Sequence, residues 1–264
     1  MKNPIITLLT DFGTKDHYVA SMKGVILKIN PGCHLVDITH QVNPQDIEEG
    51  AFTLANAYSY FPKGTIHLCV VDPGVGGRRD PILLVTRNYF FVGPDNGLFT
   101  IVAQRDKAKQ VVVLTNKKYF LSKVSRTFHG RDLFAPVAAH LSLGLKPDAF
   151  GCESRSLKEL GFQEPVVKEG RLFGEILHID AFGNLISNID ETRLFRFVQG
   201  RPFVIRAGRK SITGLKEGYW EGRRDELIAL LGSGGFLEIS VRDGNAQKIL
   251  KVRKGDPIWI STKS

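Results

Sequence analysis

The sequence predicts an α/β protein: an N-terminal domain with a Rossmann-like, mostly parallel sheet, followed by a small C-terminal antiparallel β-barrel domain. In the first half of the 264 residues, apolar runs alternate with amphipathic helical patterns in the order strand, helix, strand, helix, strand. A polar stretch over 153–168 is typical of a linker. From Arg171 onward, short alternating runs separated by Gly, Asn and Asp favour a small barrel. We therefore expect two domains, 1–160 and 161–264.

The individual elements follow from the same patterns. In the N-terminal domain we predict strands at 5–9, 34–38 and 66–71, with helices at 18–29 and about 47–58 between them. Right-handed crossovers would make these three strands parallel. Further strands are predicted at 82–86, 89–92, 110–114 and 119–121, and a helix at 132–143. The barrel strands are predicted at 171–179, 184–188, 202–206, 227–231, 236–241 and 258–261.

Composition is that of an ordinary globular protein, with 42% hydrophobic and 24% charged residues. The apolar run near the N-terminus is too short for a signal peptide, and no run reaches the ~18 residues of a membrane span. Three scattered cysteines, Cys33, Cys69 and Cys152, fit neither a disulfide framework nor a zinc motif. We expect a cytoplasmic protein with reduced thiols, no membrane association and no metal.

A net charge of +9 raises the question of nucleic acid. Between Arg105 and Arg131 there are eight Lys or Arg residues and one acid. The stretch has no helix-turn-helix, zinc-finger or RNP pattern, and its basic residues flank the strand-like run Val111–Leu114. We interpret it as a solvated, basic sheet edge rather than an RNA-binding surface.

The most informative stretch is His67–Arg79, in which an apolar run ends in Asp72 and a glycine-rich loop leads to Arg79. Such a carboxylate lies at the C-terminal end of a buried strand, where open α/β sheets place their ligand crevices. Across the turn, Asp72 and Arg79 can face one another. Asp11 also follows a buried strand, so both carboxylates are expected at one rim. The alternative is a tight turn with a surface ion pair.

Three further motifs carry candidate chemistry. His129 in Thr127–Asp132 precedes a predicted helix, where an imidazole can act as a general base. In Asp180–Asn184 an acid, an aromatic ring and an amide suit an ammonium group, a base and an adenine edge. Gly232–Gly235, with Ser233, can bind a carboxylate. Each also has a structural interpretation, as a loop histidine, a turn and a hairpin.

Taken together and in this order, these motifs resemble those of the S-adenosyl-L-methionine hydroxide adenosyltransferase family, which is related to fluorinases and chlorinases. The resemblance covers nearly the whole chain. It implies an N-terminal α/β domain, a C-terminal β-barrel, and S-adenosyl-L-methionine as substrate with no other cofactor. It also implies a homotrimer in which one subunit's N-terminal domain meets a neighbour's barrel at each site.

The resemblance also implies a role for each candidate residue. Asp72, Arg79 and His129 are similar to the family's catalytic triad, and Asp11 to its ribose-binding aspartate. Thr127 and Phe128 resemble residues that line the pocket. Phe182 and Asn184 resemble the adenine site, and Asp180 and Ser233 the contacts to the methionine amino and carboxylate groups. Asn245 and Ala246 are implied to contact adenine through their backbone.

The same resemblance separates water from halide as the nucleophile. The halogenases carry Tyr-Pro-x-Thr where this chain has Asp72–Val75, a tyrosine and a serine in place of His129 and Gly130, and an inserted loop that is not evident here. A carboxylate facing the nucleophile repels a halide, whereas Asp, Arg and His together can bind and deprotonate water. The sequence predicts hydrolysis to adenosine and L-methionine, with His129 or Asp72 as proton acceptor. The alternatives are halide-dependent adenosyl transfer and a non-catalytic module that binds an adenine nucleoside or RNA.

Overall fold

The computed structural model describes residues 3–262, which divide into two compact units between Leu160 and Gly161. Unit 1 comprises residues 3–160 and unit 2 comprises residues 161–262. Each unit has its own hydrophobic core cluster. No helix in the described part of the chain is both long and apolar enough to cross a membrane.

Unit 1 is a mixed α/β unit with one seven-stranded sheet. Its elements are β1 (Ile5–Thr10), α1 (Tyr18–Ile29), β2 (His34–Thr39), α2 (Ile47–Ala57), β3 (Ile66–Val70), β4 (Pro81–Val85), β5 (Phe90–Pro94), α3 (Thr100–Arg105), β6 (Gln110–Leu114), α4 (Ala135–Ser142) and β7 (Gly151–Ser154). A π-helical turn over Gly130–Phe134 leads directly into α4. Short 3₁₀ turns cover Tyr58–Tyr60, Lys117–Tyr119 and Pro147–Phe150.

The strand order in unit 1 is β2-β1-β3-β5-β4-β6-β7. The four strands from β2 to β5 in this order are parallel, β4 and β7 run in the opposite direction, and β6 again runs with the first four. Thr10 of β1 lies opposite Val70 of β3. The residues that follow these two strands therefore emerge at the same edge of the sheet, which places Asp11 and Asp72 there.

Two predictions for unit 1 are wrong. Residues 119–121 do not form a strand, because the Asn116 side chain accepts a hydrogen bond from the Lys118 amide at 3.2 Å and closes a 3₁₀ turn. The basic stretch is not a sheet edge either. β6 lies between β4 and β7, with Val111 and Val112 buried, so the edge strand is β7, which the sequence pattern did not reveal.

Unit 2 consists of an antiparallel, barrel-like sheet of eight strands. Its elements are β8 (Val166–Lys168), β9 (Arg171–Ile179), β10 (Leu185–Asp190), α5 (Glu191–Val198), β11 (Phe203–Ala207), β12 (Lys210–Thr213), β13 (Leu227–Leu231), β14 (Phe236–Val241), α6 (Ala246–Leu250) and β15 (Pro257–Thr262). The order is β12-β11-β15-β9-β10-β14-β13, with β8 paired to β9. Because β12 also contacts β13, the sheet nearly closes on itself.

The predicted order of architectures, a mostly parallel α/β unit followed by an antiparallel barrel-like unit, is confirmed. Of the linker predicted at 153–168, residues 155–165 contain no helix or strand, but its two ends belong to β7 and to β8, which the sequence did not reveal. The sequence patterns did not reveal α3, α5, α6 and β12, which are eight residues long or shorter. Elements this short show too few periodic positions for a pattern to stand out.

Candidate functional site

The centre of the site in unit 1 is a buried ion pair between Asp72, two residues beyond β3, and Arg79. The Arg79 Nε lies 3.1 and 3.0 Å from the two carboxylate oxygens, and Nη2 lies 2.5 Å from Oδ2. The Asp72 and Arg79 side chains are only 4% and 8% exposed. The guanidinium carbon also lies 5.3 Å from the ring centroid of buried Phe134. Contacts on this many sides leave both side chains little freedom to rotate.

The loop between these two residues is built from consecutive turns. The Val75 amide donates to the Asp72 carbonyl at 3.3 Å, and the Gly77 amide donates to the Gly74 carbonyl at 3.0 Å. Gly76 has a φ of +74°, and a Cβ there would overlap the carbonyl oxygen of Arg126. Only glycine allows this approach, which brings the Asp72–Arg79 loop against the loop that precedes His129.

His129 contacts the ion pair through one ring nitrogen. Its Nδ1 lies 2.9 Å from Arg79 Nη2. A guanidinium has no acceptor, so Nδ1 must carry the lone pair and Nε2 the proton. Burial, and then the positive charge of Arg79, lower the pKa of His129, although Asp72 and Asp132 partly oppose this. His129 is therefore neutral at pH 7 and presents an N–H donor on the side away from Arg79.

A second buried carboxylate, Asp132, holds the loop in front of His129. It accepts hydrogen bonds from the Ser125 amide at 2.8 Å and from Arg131 Nε at 2.6 Å. The Ser125 hydroxyl in turn accepts from the Phe128 amide at 3.0 Å. Burial opposes ionisation of Asp132, but the hydrogen bonds from Arg131 and Ser125 outweigh it and keep its pKa below the usual range. The ionised Asp132 carboxylate therefore holds the residues just before the π-helical turn in place.

Asp11 is placed by a network of its own. Its Oδ2 accepts a hydrogen bond from the Gln45 amide at 2.8 Å, and Gln45 has a left-handed backbone with φ of 67°. The preceding Thr10 hydroxyl lies 2.8 Å from His40 Nδ1. The following Phe12 ring packs edge-on against Phe128, with centroids 5.9 Å apart. The Asp11 loop therefore lies against the His129 loop.

In unit 2, Asp180 uses its carboxylate to close the loop after β9. Oδ1 accepts from the amides of Phe182 and Asn184, both at 2.9 Å, and Oδ2 accepts from the Asn184 side-chain amide at 2.9 Å. This places the Phe182 ring on the outside, where it is 76% exposed, while Asn184 is buried. Gly183 has a φ of +84°, and a Cβ there would overlap the Asn245 side chain. The loop is thereby held against the start of α6.

A surface cavity of about 810 Å³ lies beside this loop in unit 2. Four of the predicted residues line it: Asp180, Phe182, Asn184 and Asn245. Asn245 also caps α6, because its side-chain oxygen accepts from the Lys248 amide at 2.8 Å. Ala246 is fully buried and not in the lining, so its methyl group is unavailable to a ligand.

Ser233 lies outside this lining. It is exposed at the turn between β13 and β14, where the Gly235 amide donates to the Gly232 carbonyl at 2.9 Å. The structural interpretation of Gly232–Gly235 as a hairpin turn is therefore correct for its backbone. Thr127 is also exposed, next to buried Phe128.

Sequence reasoning missed several residues at both places. The cavity of unit 2 is also lined by Tyr219, Trp220 and Arg242. Two neighbouring large aromatic residues between Gly218 and Gly222 were the available signal. In unit 1, nothing in the sequence marked Gln45 as the donor to Asp11. Within residues 3–262 there is no group of three or more His, Cys, Asp and Glu residues that could hold a metal ion.

Comparison with known proteins gives consistent matches. Residues 6–151 match the family model for the SAM hydroxide adenosyltransferase N-terminal domain, and residues 174–259 match the model for the C-terminal domain. The (R)-S-adenosyl-L-methionine hydrolase of Methanocaldococcus jannaschii is 39% identical, covering 97% of this chain and 95% of the relative. The enzyme of the same name from Thermus thermophilus is 38% identical, covering 96% and 98%.

More distant relatives and a solved structure complete the comparison. A fluorinase from an Actinoplanes species is 31% identical over 73% of this chain and 74% of its own length. The crystal structure of an uncharacterized conserved protein from Thermotoga maritima superposes with a TM-score of 0.91 at 38% identity. The superposition covers 97% of this chain and 99% of the Thermotoga maritima chain.

The geometry around His129 predicts its ionisation. We expect the neutral Nε2–H tautomer at pH 7, with protonation only at a pH below that of an ordinary histidine. Arg79→Ala should raise the pKa of His129, because it removes a neighbouring positive charge. ¹⁵N NMR of the imidazole nitrogens, assigned with His129→Gln, measures both. Exposed Arg78 provides the matched control, since Arg78→Ala should leave the His129 titration in place. An Nδ1–H tautomer in the wild type would contradict the arrangement.

Proposed function

The chain belongs to the SAM hydroxide adenosyltransferase family, and on that premise we propose that it hydrolyses S-adenosyl-L-methionine to adenosine and L-methionine. The observation that carries the proposal is the contact of Asp72, Arg79 and His129, which groups a carboxylate, a guanidinium and a neutral imidazole. Hydrolase relatives at 38–39% identity over nearly the full chain support it. The Asp72 carboxylate in this arrangement repels a halide.

Arg79 holds the nucleophile. Its Nη2 donates to Asp72 and to His129, and its Nε donates to Asp72. The two N–H groups on Nη1 have no partner among the described residues, so they are available to bind a water molecule as it becomes hydroxide. His129 orients the guanidinium, because its Nδ1 accepts the hydrogen bond from Nη2. Donors of this kind stabilise negative charge on the attacking oxygen, as an oxyanion hole does.

Asp72 accepts the proton. The sequence left both Asp72 and His129 as acceptors, but the His129 lone pair on Nδ1 already receives a hydrogen bond from Arg79. From the residues that the structure describes, Asp72 Oδ1 accepts one hydrogen bond, at 3.1 Å, and it keeps lone pairs free. The water oxygen attacks C5′, its proton passes to Asp72 and then to solvent, and the C5′–S bond breaks. Sulfur takes the electron pair and leaves as the neutral thioether of L-methionine, so no general acid is needed.

The remaining residues bind the substrate so that its C5′ atom faces the attacking water. Asp11 binds the ribose hydroxyls, with Thr127 and Phe128 lining the pocket around them. Phe182 stacks on adenine, and Asn184, whose amide donates to Asp180, offers its side-chain oxygen to the adenine amino group. Asn245 and Ala246 contact adenine through their backbone. Asp180 receives the ammonium group and Ser233 the carboxylate of the methionine part. Correct placement of C5′ opposite the water supplies much of the rate enhancement.

The domain roles and the assembly belong to the same proposal. Unit 1 is the Rossmann-like catalytic domain, and unit 2 is the β-barrel domain that supplies the adenine and methionine contacts. Three copies assemble into a cytoplasmic homotrimer in which each site combines unit 1 of one subunit with unit 2 of its neighbour. No cofactor or metal takes part.

Isotope labelling tests the reaction itself. In oxygen-18 water, the 5′-hydroxyl of the adenosine product should carry the label, because water supplies the attacking oxygen. Mass spectrometry of adenosine measures it, and the same protein in chloride buffer provides the comparison. Formation of 5′-chloroadenosine without adenosine would establish halide-dependent transfer instead.

Substitutions test the triad. Asp72→Asn, Arg79→Ala and His129→Ala should each lower kcat by ~10² or more while largely sparing substrate binding, since these groups act on the nucleophile. Arg78→Ala and His34→Ala remove exposed residues of the same types and should keep full activity. Steady-state kinetics and binding calorimetry separate the two effects. RNA affinity that falls steeply with salt, in a wild type without turnover, would favour the binding module.

Mixing of inactive variants tests the shared site. Asp72→Asn and Asn184→Ala damage different units, so hybrid trimers should contain some sites in which both units are intact. Some activity should return after subunit exchange, and light scattering should show a trimer. Each variant incubated alone is the control. A monodisperse, active monomer would refute the shared-site arrangement.

A further inference from the structure

Glu238 is a buried carboxylate in unit 2 that none of the roles above uses. It lies on β14 and is only 6% exposed. Its Oε1 accepts hydrogen bonds from the Tyr219 hydroxyl and from the Ser240 hydroxyl, both at 2.7 Å. Its second oxygen, Oε2, receives no hydrogen bond from any residue in 3–262. Oε1 therefore has two hydrogen-bond donors, whereas Oε2 is free to accept one from a ligand. We call Oε2 the open oxygen.

The open oxygen lies beside Gly232, the first residue of the loop that carries Ser233. A Cβ placed on Gly232 would be 2.5 Å from Glu238 Oε2. Glycine at 232 thus lets the carboxylate keep this position, whereas a Cβ there would force Oε2 to shift. In the proposed function this loop receives the carboxylate of the methionine part, so Glu238 lies next to the amino-acid end of the substrate.

Tyr219 connects Glu238 with Asp180. Burial, the hydrogen bond to Glu238, and the charges of Glu238 and Asp180 raise the pKa of Tyr219 to about 12. The hydroxyl therefore remains a donor, and two negative charges act on it. Tyr219 and Asp180 line the same cavity, so the Tyr219 hydroxyl lies between that cavity and Glu238.

No cation of the described chain neutralises these carboxylates. Asp180 and Glu238 form no ion pair with any Lys, Arg or His among residues 3–262. Arg242 lines the cavity but donates to the carbonyls of Trp220 and Gly222, and the carboxylate it approaches is Asp243, at 3.9 Å. Glu238 is buried and its two hydroxyl donors carry no charge, so within the described chain its carboxylate lacks an ion-pair partner that a ligand cation would supply.

We propose that Glu238 is a specificity-determining residue that receives the α-ammonium group of the methionine part of the substrate through Oε2, beside Asp180. The proposal rests on the proposed function. Three of the acceptor positions of Asp180 are already used to close its own loop, so Glu238 offers the less encumbered carboxylate. The Tyr219 and Ser240 hydroxyls hold Glu238 in place, and its charge selects for substrates that carry an amino group.

Inhibition of S-adenosyl-L-methionine hydrolysis by product analogues tests this role. L-Methionine is compared with 4-(methylthio)butanoate, which has hydrogen in place of the amino group, and with adenosine. Glu238→Gln should weaken inhibition by L-methionine and raise the KM for S-adenosyl-L-methionine by about 10- to 100-fold, the effect expected for a charged hydrogen bond. Inhibition by 4-(methylthio)butanoate and by adenosine should stay within about twofold, and kcat should change little.

Variants of neighbouring groups separate this role from a structural one. Tyr219→Phe and Ser240→Ala remove the hydroxyl partners of Oε1 but keep the charge, so they should preserve the preference for L-methionine over its amine-free analogue. Glu217→Gln, an exposed glutamate of unit 2, is the matched control. If Glu238→Gln does not fold, Glu238→Asp carries the test, and it should lose affinity for L-methionine but not for adenosine.

Three outcomes overturn the proposal. The KM for S-adenosyl-L-methionine could be unchanged in Glu238→Gln. Affinity for the amine-free analogue or for adenosine could fall as far as affinity for L-methionine, which would indicate a structural role. Tyr219→Phe could also abolish the preference as fully as Glu238→Gln. A wild type that does not hydrolyse S-adenosyl-L-methionine would instead reject the proposed function, which is a distinguishable result.

Discussion

Burial of a charged carboxylate is costly unless a cation or hydrogen-bond donors lie beside it. In unit 1, Arg79 is the cation that pairs with Asp72, and a glycine-rich loop connects the two residues. Asp72 and Arg79 are both more than nine-tenths buried, and each limits the rotamers open to the other. The pair requires the left-handed backbone of Gly76, and Gly76 in turn brings the Ser125–His129 loop alongside. Because Arg79 also donates to His129 Nδ1, the tautomer of the imidazole follows from the ion pair. The chemistry of the site therefore depends on this single electrostatic contact.

Several carboxylates of this chain bind backbone amides, and Asp132 binds the Arg131 guanidinium as well. Asp11 receives the Gln45 amide, Asp132 the Ser125 amide, and Asp180 the amides of its own loop. Each therefore fixes the shape of a loop that carries candidate site residues, because an ionised acceptor forms stronger hydrogen bonds than a neutral one. Such preorganisation lowers the conformational-entropy cost of substrate binding, because these loops are already ordered. Glu238 differs, since hydroxyl groups satisfy only one of its oxygens.

The choice between water and halide can be understood from the same electrostatics. In the proposed function, a water that becomes hydroxide gives its proton to Asp72 and places its negative charge beside Arg79. A halide has no proton to share, so the Asp72 carboxylate only repels it. This agrees with the pattern of relatives, in which hydrolases match nearly the whole chain and the fluorinase matches about three quarters of it.

By itself, the sequence determined the order of the two architectures, the positions of Asp11 and Asp72 after buried strands, and the nature of the motifs. These are consequences of local periodicity and of glycine and aspartate chemistry, which act within a few residues. Tertiary structure decided what depends on distant segments. The burial of β6 required β7, which lies about 40 residues further on. The pairing of Arg79 with His129, 50 residues apart, fixed a tautomer that no local pattern encodes. The open oxygen of Glu238 likewise exists only because the barrel folds Tyr219, Ser240 and Gly232 around it.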